Sequence, residues 1–130
     1  MIKRKINLVY AEECYRIMGI VFEVFNSLGF GHKEIFYQKA IAKAFKDSEI
    51  EFKEQLRCKV KYKGEDLGIY IFDFLVFNKI ILELKQKDFF SSKDIKQTFM
   101  YLKAKDLKLG LLVNFTSKGV RYKRIVNINH

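Results

Sequence analysis

Asp73, Glu83 and Lys85 are the residues of this chain whose types and spacing suit chemistry, because each stands inside an apolar run. Asp73 lies between Ile71-Phe72 and Phe74-Leu75-Val76, and Glu83 and Lys85 belong to Ile80-Ile81-Leu82-Glu83-Leu84-Lys85. Taking a carboxylate out of water into such surroundings costs several kcal/mol unless something cationic compensates. Two carboxylates and a lysine gathered there either pair with one another or hold a divalent ion, and hard cations such as magnesium prefer oxygen ligands. A structural salt bridge between Lys85 and one acid, or a partly exposed edge hairpin, accounts for the same short pattern.

Strand geometry separates these readings. Glu83 and Lys85 are two residues apart and so point to one face of a strand. Asp73 joins that face only if it stands opposite Glu83, which requires residue 76 opposite 80 and an odd loop Phe77-Asn78-Lys79 or an equivalent bulge. A two-residue Asn78-Lys79 turn would pair 77 with 80 and send Asp73 to the other side. A metal site therefore demands the odd loop.

The elements that must position these residues follow from periodicity. Ile17, Ile20, Val21, Val24, Phe25 and Leu28 recur at helical spacing, and Gly29 is a C-terminal stop. After Gly29-Phe30-Gly31, the residues Ile35, Phe36, Ala40, Ile41, Ala44 and Phe45 mark a second helix ending near Lys46-Asp47. Residues 51–62 alternate polar and apolar, and Lys63-Gly64-Glu65-Asp66 supplies a turn. Residues 67–77 and 80–85 read as strands buried from both sides. Ser91 or Ser92 caps a third helix carrying Ile95, Phe99 and Leu102, and residues 109–115 and 124–128 read as two further strands. The expected order is ααβββαββ, an α/β or α+β domain on a short mixed sheet, with no proline, linker or repeat to divide residues 1–130.

At 130 residues, 49% hydrophobic and 15% aromatic, the chain is long and apolar enough for one ordinary core, and disorder is excluded. No apolar run approaches the ~18–20 residues that span a bilayer. The basic Met1-Ile2-Lys3-Arg4-Lys5 is followed by no apolar leader segment, so a cytoplasmic protein is expected. Cys14 and Cys58 are isolated and read as reduced core thiols, and His32 and His130 are too few and too far apart for a metal cluster. The 25 Lys+Arg against 15 Asp+Glu, a formal +10, favour a polyanionic partner, nucleic acid before an anionic membrane surface.

Asp73, Glu83, Leu84 and Lys85 together resemble the signature of the PD-(D/E)XK nuclease superfamily. More specifically, the chain resembles the small bacterial and archaeal proteins of the GxxExxR family. The supporting pieces are Gly31-His32-Lys33-Glu34-Ile35-Phe36-Tyr37, Tyr62-Lys63-Gly64-Glu65-Asp66-Leu67-Gly68, Glu83-Leu84-Lys85 and Gln97-Thr98-Phe99-Met100-Tyr101-Leu102-Lys103-Ala104. Leu109-Gly110-Leu111-Leu112-Val113-Asn114-Phe115 and Lys123-Arg124-Ile125-Val126-Asn127 complete them in the family's order. Two positions depart: Phe30 replaces the proline often found in the glycine turn, and Tyr37 stands where the family name has Arg.

The resemblance implies a restriction-endonuclease-like core, a mixed sheet flanked by helices. It implies magnesium, or manganese, bound by Asp73, Glu83 and the backbone carbonyl of Leu84. Lys85 would position the attacking water and stabilise phosphate charge, and Glu34 matches an acid that often completes the site. A first-turn glutamate favoured by the helix dipole explains Glu34 equally well. Gln97 and Tyr101 resemble a Gln-x-x-x-Tyr element of related exonuclease-type members, although a polar helix face with its aromatic on the core fits them too. Lys87 and Lys93, with Lys96 and Lys103, flank the site and suit a nucleic-acid backbone or a solvated face.

The function expected is metal-dependent hydrolysis of phosphodiester bonds, with DNA favoured over RNA as substrate. The alternative is a non-catalytic nucleic-acid-binding or interaction module on the same fold. A membrane partner is not expected, since no basic amphipathic helix stands out. A homodimer is a fair expectation, because so small a domain has little surface with which to surround a duplex.

Overall fold

The computed structural model describes residues 8–128. The basic run at 1–5 and His130 lie outside them. Helices α1 (Ala11–Leu28) and α2 (Glu34–Asp47) precede strands β1 (Phe52–Tyr62), β2 (Glu65–Val76) and β3 (Ile80–Lys85). Helix α3 (Ser92–Lys105) then leads to β4 (Leu109–Thr116) and β5 (Gly119–Val126), so the order ααβββαββ is observed. The strands form one five-stranded mixed sheet in the order β1-β2-β3-β4-β5, antiparallel except for the β3–β4 pair. A parallel pair needs a crossover, and α3 supplies it.

Two cores follow from the strand alternation. Ile80, Leu82 and Leu84 of β3, with Leu109, Leu111, Val113 and Phe115 of β4, face Ile17, Val21, Ile41 and Phe45 of α1 and α2. Ile81 and Leu112 face the opposite way, against Tyr101 and Leu102 of α3. β3 and β4 are therefore covered on both faces, as their continuous apolar runs require. Cys14 and Cys58 are free thiols, one in each core.

Three local devices fix the helices that carry site residues. Gly29 closes α1 at φ 76°, and its carbonyl accepts from the Tyr37 hydroxyl at 2.5 Å. Tyr37 is fully buried and stacked on Phe115 at 4.4 Å, and so anchors the start of α2. Ser91 caps α3 by accepting from the Asp94 N–H at 3.0 Å. At Gly110 an added Cβ would lie 2.8 Å from Thr98 Cγ2, so only glycine lets α3 approach β4 this closely. Thr98 is buried and stiff at χ1. Gly110→Ala is expected to cost ~1–3 kcal/mol by overpacking. Urea unfolding reads this, and a variant as stable as the parent would show that α3 can shift freely.

The structure corrects the sequence reading in three places. The first turn is only Lys63-Gly64, both with positive φ, and the chain is already in β2 at Glu65. β5 starts five residues earlier than expected, at Gly119, and ends at Val126. The largest difference is in β2, whose first half is exposed: Leu67 is 62% accessible and Ile69 and Ile71 are each 47%. β2 pairs with β3 only from Phe74 to Val76, whereas it pairs with β1 along its whole length. Beyond Phe72, β1 and β2 leave the sheet together as a two-stranded arm. An apolar run alone cannot reveal that its second neighbour has departed.

Candidate active site

The loop Phe77-Asn78-Lys79 joins β2 and β3 with Val76 opposite Ile80, the odd-loop register. Phe77 and Asn78 both take the left-handed conformation needed to close it, at φ 54° and 58°. Continued one step beyond Phe74–Leu82, that register sets Asp73 against Glu83.

Here the two strands part, and side chains replace the backbone ladder. The Asp73 N–H donates to Glu83 Oε1 at 2.5 Å, and the Leu84 N–H donates to Asp73 Oδ2 at 2.8 Å. The side-chain alternation breaks at the same point, since Phe72 packs in the α3-side core and Phe74 in the opposite one. On β1 the corresponding residue, Gln55, lies between the partners of Phe74 and Phe72 and has φ 50°. The fork both bends the arm away and presents the two carboxylates at its base.

The electrostatics record the cost of this placement. Burial, followed by the charge of Asp73, pushes Glu83 up to about 8, against the opposing pull of the Asp73 N–H and the Lys85 ammonium. Asp73 is also raised, chiefly by desolvation, although the Leu84 N–H and Lys85 favour its charged form. Glu34, in the first turn of α2, is raised by partial desolvation and then by Asp73, while Lys85 counteracts this. Its electrostatic neighbours are Asp73 and Lys85 of the fork together with Asp94 and Lys87. Tyr101 is buried on the α3 side, and its hydroxyl is pushed above the usual phenol range by burial and then by Glu83.

The structure brings Asp73, Glu83, Lys85 and Glu34 into mutual electrostatic range, with Tyr101 alongside. Gln97 sits one turn before Tyr101 and is half-buried. Lys93 and Lys96 are exposed on α3. Lys87 is held by Asp94 at 2.7 Å, where Asp94 is nearly buried at 4% exposure. Burial opposes ionisation of Asp94, but the Lys87 ammonium and Ser91 outweigh it and lower its pKa. Lys87 therefore ties the β3–α3 connection to the first turn of α3.

Sequence reasoning missed two buried polar residues. Gln38 lies one turn beyond Glu34 on the same face of α2, at 7% exposure among Tyr37, Ile41 and Ala42. Asn114 is 1% exposed and is the register partner of Lys85 across the parallel β3–β4 pair. Its Nδ2 donates to the Phe89 carbonyl at 2.7 Å, pinning the β3–α3 connection, and its buried Oδ1 has no hydrogen-bond partner. The one available signal was a polar residue interrupting an apolar strand or helix face.

Among the described residues no group of three or more His, Cys, Asp and Glu side chains is arranged to hold a metal ion. The donor set nonetheless fits a divalent cation. Asp73 and Glu83 are two hard carboxylates, partly stripped of water and repelling one another, each with one oxygen engaged by a backbone N–H. Lys85 is the cation that tempers both.

The five-stranded mixed sheet flanked by helices is a restriction-endonuclease-like core. The PD-(D/E)XK nuclease superfamily profile matches residues 11–125, and the chain belongs to that superfamily. Solved structures agree on the fold. The crystal structure of SSO0001 superposes with a TM-score of 0.55 at 17% identity, covering 88% of this chain and 62% of that one. The chain thus spans a little over three-fifths of that protein's length. An alkaline exonuclease (LHK-Exo) from Laribacter hongkongensis gives a TM-score of 0.52 at 11% identity, covering 93% of this chain and 72% of that one. No curated protein matches the sequence significantly.

Proposed function

We propose that the protein is a divalent-metal-dependent nuclease that hydrolyses phosphodiester bonds of nucleic acid, with DNA as the preferred substrate, and that it belongs to the GxxExxR branch of its superfamily. The observation that carries this reading is the pair at the strand fork, Glu83 buried and Asp73 half-buried, with like charges together and Lys85 beside them. A protein that only binds a polyanion gains nothing from such a pair.

Asp73, Glu83 and the carbonyl of Leu84 would hold magnesium or manganese, which when bound supplies Lewis acidity and lowers the pKa of water. Lys85, two residues from Glu83 on the same strand face, places its ammonium where the attacking water and the negative phosphate oxygens meet. Glu34 approaches the same centre from α2 and orients the water. The Asp73 and Leu84 N–H bonds hold both carboxylates in one geometry, so little reorganisation accompanies reaction. Asn114, the register partner of Lys85, pins the β3–α3 connection through the Phe89 carbonyl.

The test is direct. Single- and double-stranded DNA and RNA are incubated with the protein in magnesium, manganese or EDTA, beside Lys85→Ala and Asp73→Asn. Cutting is expected only with metal, and each variant is expected to lose about 10²-fold or more in kcat, in line with the removal of one electrostatic group. Absence of cutting on every substrate in both metals, with equal binding by parent and variants, would leave the non-catalytic module instead.

A further inference from the structure

The arm and α3 flank an open groove of about 420 Å³, lined by Tyr70, Lys93, Lys96, Gln97 and Met100. We propose that this groove holds one unpaired strand of nucleic acid and leads it to the Asp73–Glu83 fork. This inference rests on the nuclease reading and adds the form of substrate.

Three observations carry it. The groove adjoins the fork: Tyr70 packs on Tyr101 with ring centroids 5.0 Å apart, and the Tyr101 hydroxyl donates to the carbonyl of Ile71 at 3.5 Å, two residues before Asp73. Its charge is complementary to phosphate, since Lys93 and Lys96 are exposed and no acid lines it. Its walls offer a tyrosine ring and a methionine thioether, surfaces that match the flat face of a base. A duplex keeps its base faces stacked inside and would leave those walls unused. An unpaired strand exposes them.

The arm extends the same surface outward. Alternation along β1 puts Cys58 and Val60 on one side, Cys58 and Tyr70 are register partners in the α3-side cluster, and the β1–β2 register shifts between Val60 and Lys61, just before Tyr62. Tyr62 is 60% exposed, with the Lys63 ammonium 5.3 Å from its ring centre. Tyr62 lies four strand steps from Cys58, ~13 Å at ~3.3 Å per step, and offers a second aromatic ring further along the arm. Between them, Gly68 stands opposite Val60 and contributes no side chain.

Anisotropy of labelled oligo(dT), oligo(rU) and a blunt duplex of equal length, with the parent protein in EDTA, measures binding without cutting. At least one unpaired strand is expected to bind about tenfold tighter than the duplex. Tyr70→Leu and Tyr62→Ser are each expected to weaken it about tenfold, the size of one lost base–aromatic stack. Lys93→Ala with Lys96→Ala is expected to lower affinity and to flatten the salt dependence by about 0.7 in log–log slope per lysine. Lys43→Ala and Lys46→Ala on α2 serve as controls and are expected to change nothing. Tyr62 and both groove lysines are exposed, so their variants remain informative if Tyr70→Leu fails to fold.

Equal binding of duplex and single strand, or groove variants that bind as the parent does, would overturn the proposal. So would groove variants that change only the oligomeric state, which would assign the surface to a second copy. Groove-dependent strand binding by a protein that cuts nothing would retain this inference and remove the nuclease reading. Cutting with unchanged KM in the groove variants would do the reverse.

Discussion

Glu83→Gln is expected to abolish cutting while making the metal-free protein more stable above neutral pH. The two effects share one cause. Glu83 is 5% exposed and faces Asp73, so its charged form carries both a desolvation penalty and a like-charge penalty. Glutamine keeps the shape and an oxygen to accept from the Asp73 N–H, and it removes the charge. With the glutamate raised from 4.5 to about 8, the penalty relieved at pH 9 is on the order of 2–4 kcal/mol, after allowing for the new amide's own need of a partner. For a domain of this size that is a rise in Tm of roughly 10 °C. The gain should vanish near pH 5, where Glu83 is already neutral. Activity should fall by at least about 10³-fold, because the cation loses a charged ligand as well as its position. Thermal melts across pH, beside a cutting assay, decide it. A variant no more stable than the parent at pH 9 would mean the pair is not held at electrostatic cost, and one that still cuts would remove Glu83 from the site.

How much of this was legible beforehand depends on what each residue's neighbours are. β3 was read to the residue, because a strand covered on both faces is a closed apolar run with sharp ends. The odd loop followed from requiring Asp73 and Glu83 to meet, and it is present. The fork was not legible. Leu67, Ile69 and Ile71 have the composition of a buried strand, and their exposure comes from β3 turning away to β4, a tertiary event with no local mark. The same holds for Lys87, which looked like a substrate lysine by sequence position. Its partner Asp94 is seven residues away and meets it only because Ser91 starts α3 there. Asn114 was submerged in an apolar strand, and only the parallel register with Lys85 gives it meaning. Side chains that act through local periodicity were readable, and those that act through an absent or distant neighbour were not.

The acidic pair also predicts how pH and metal should act together on the fold. Glu83 holds its proton in the native state up to about pH 8, whereas in the unfolded chain it ionises near 4.5. Between those values the native state binds more protons, so unfolding releases one and stability falls as pH rises. The contribution is complete below about pH 4.5, declines through the interval and is lost above about pH 8, on the order of 3–5 kcal/mol in all. Asp73, also raised, acts in the same direction. Asp94, which is lowered, acts in the opposite one, since its contribution is lost only as pH falls through the acidic range; measurements between pH 5 and 9 avoid it. A divalent cation must displace the proton, so its apparent affinity should rise with pH, by up to tenfold per unit, and level off near pH 8. In EDTA the Tm should therefore drop by roughly 10 °C or more from pH 5 to pH 9. Magnesium should restore little at pH 5 and most of the loss at pH 9, and Glu83→Gln should flatten both curves. Calcium, a hard cation of different size, tests whether the restoration needs charge alone or a fitted octahedral site. A Tm independent of pH in EDTA, or a magnesium effect equal at both ends of the range, would show that the two carboxylates do not form a cation site.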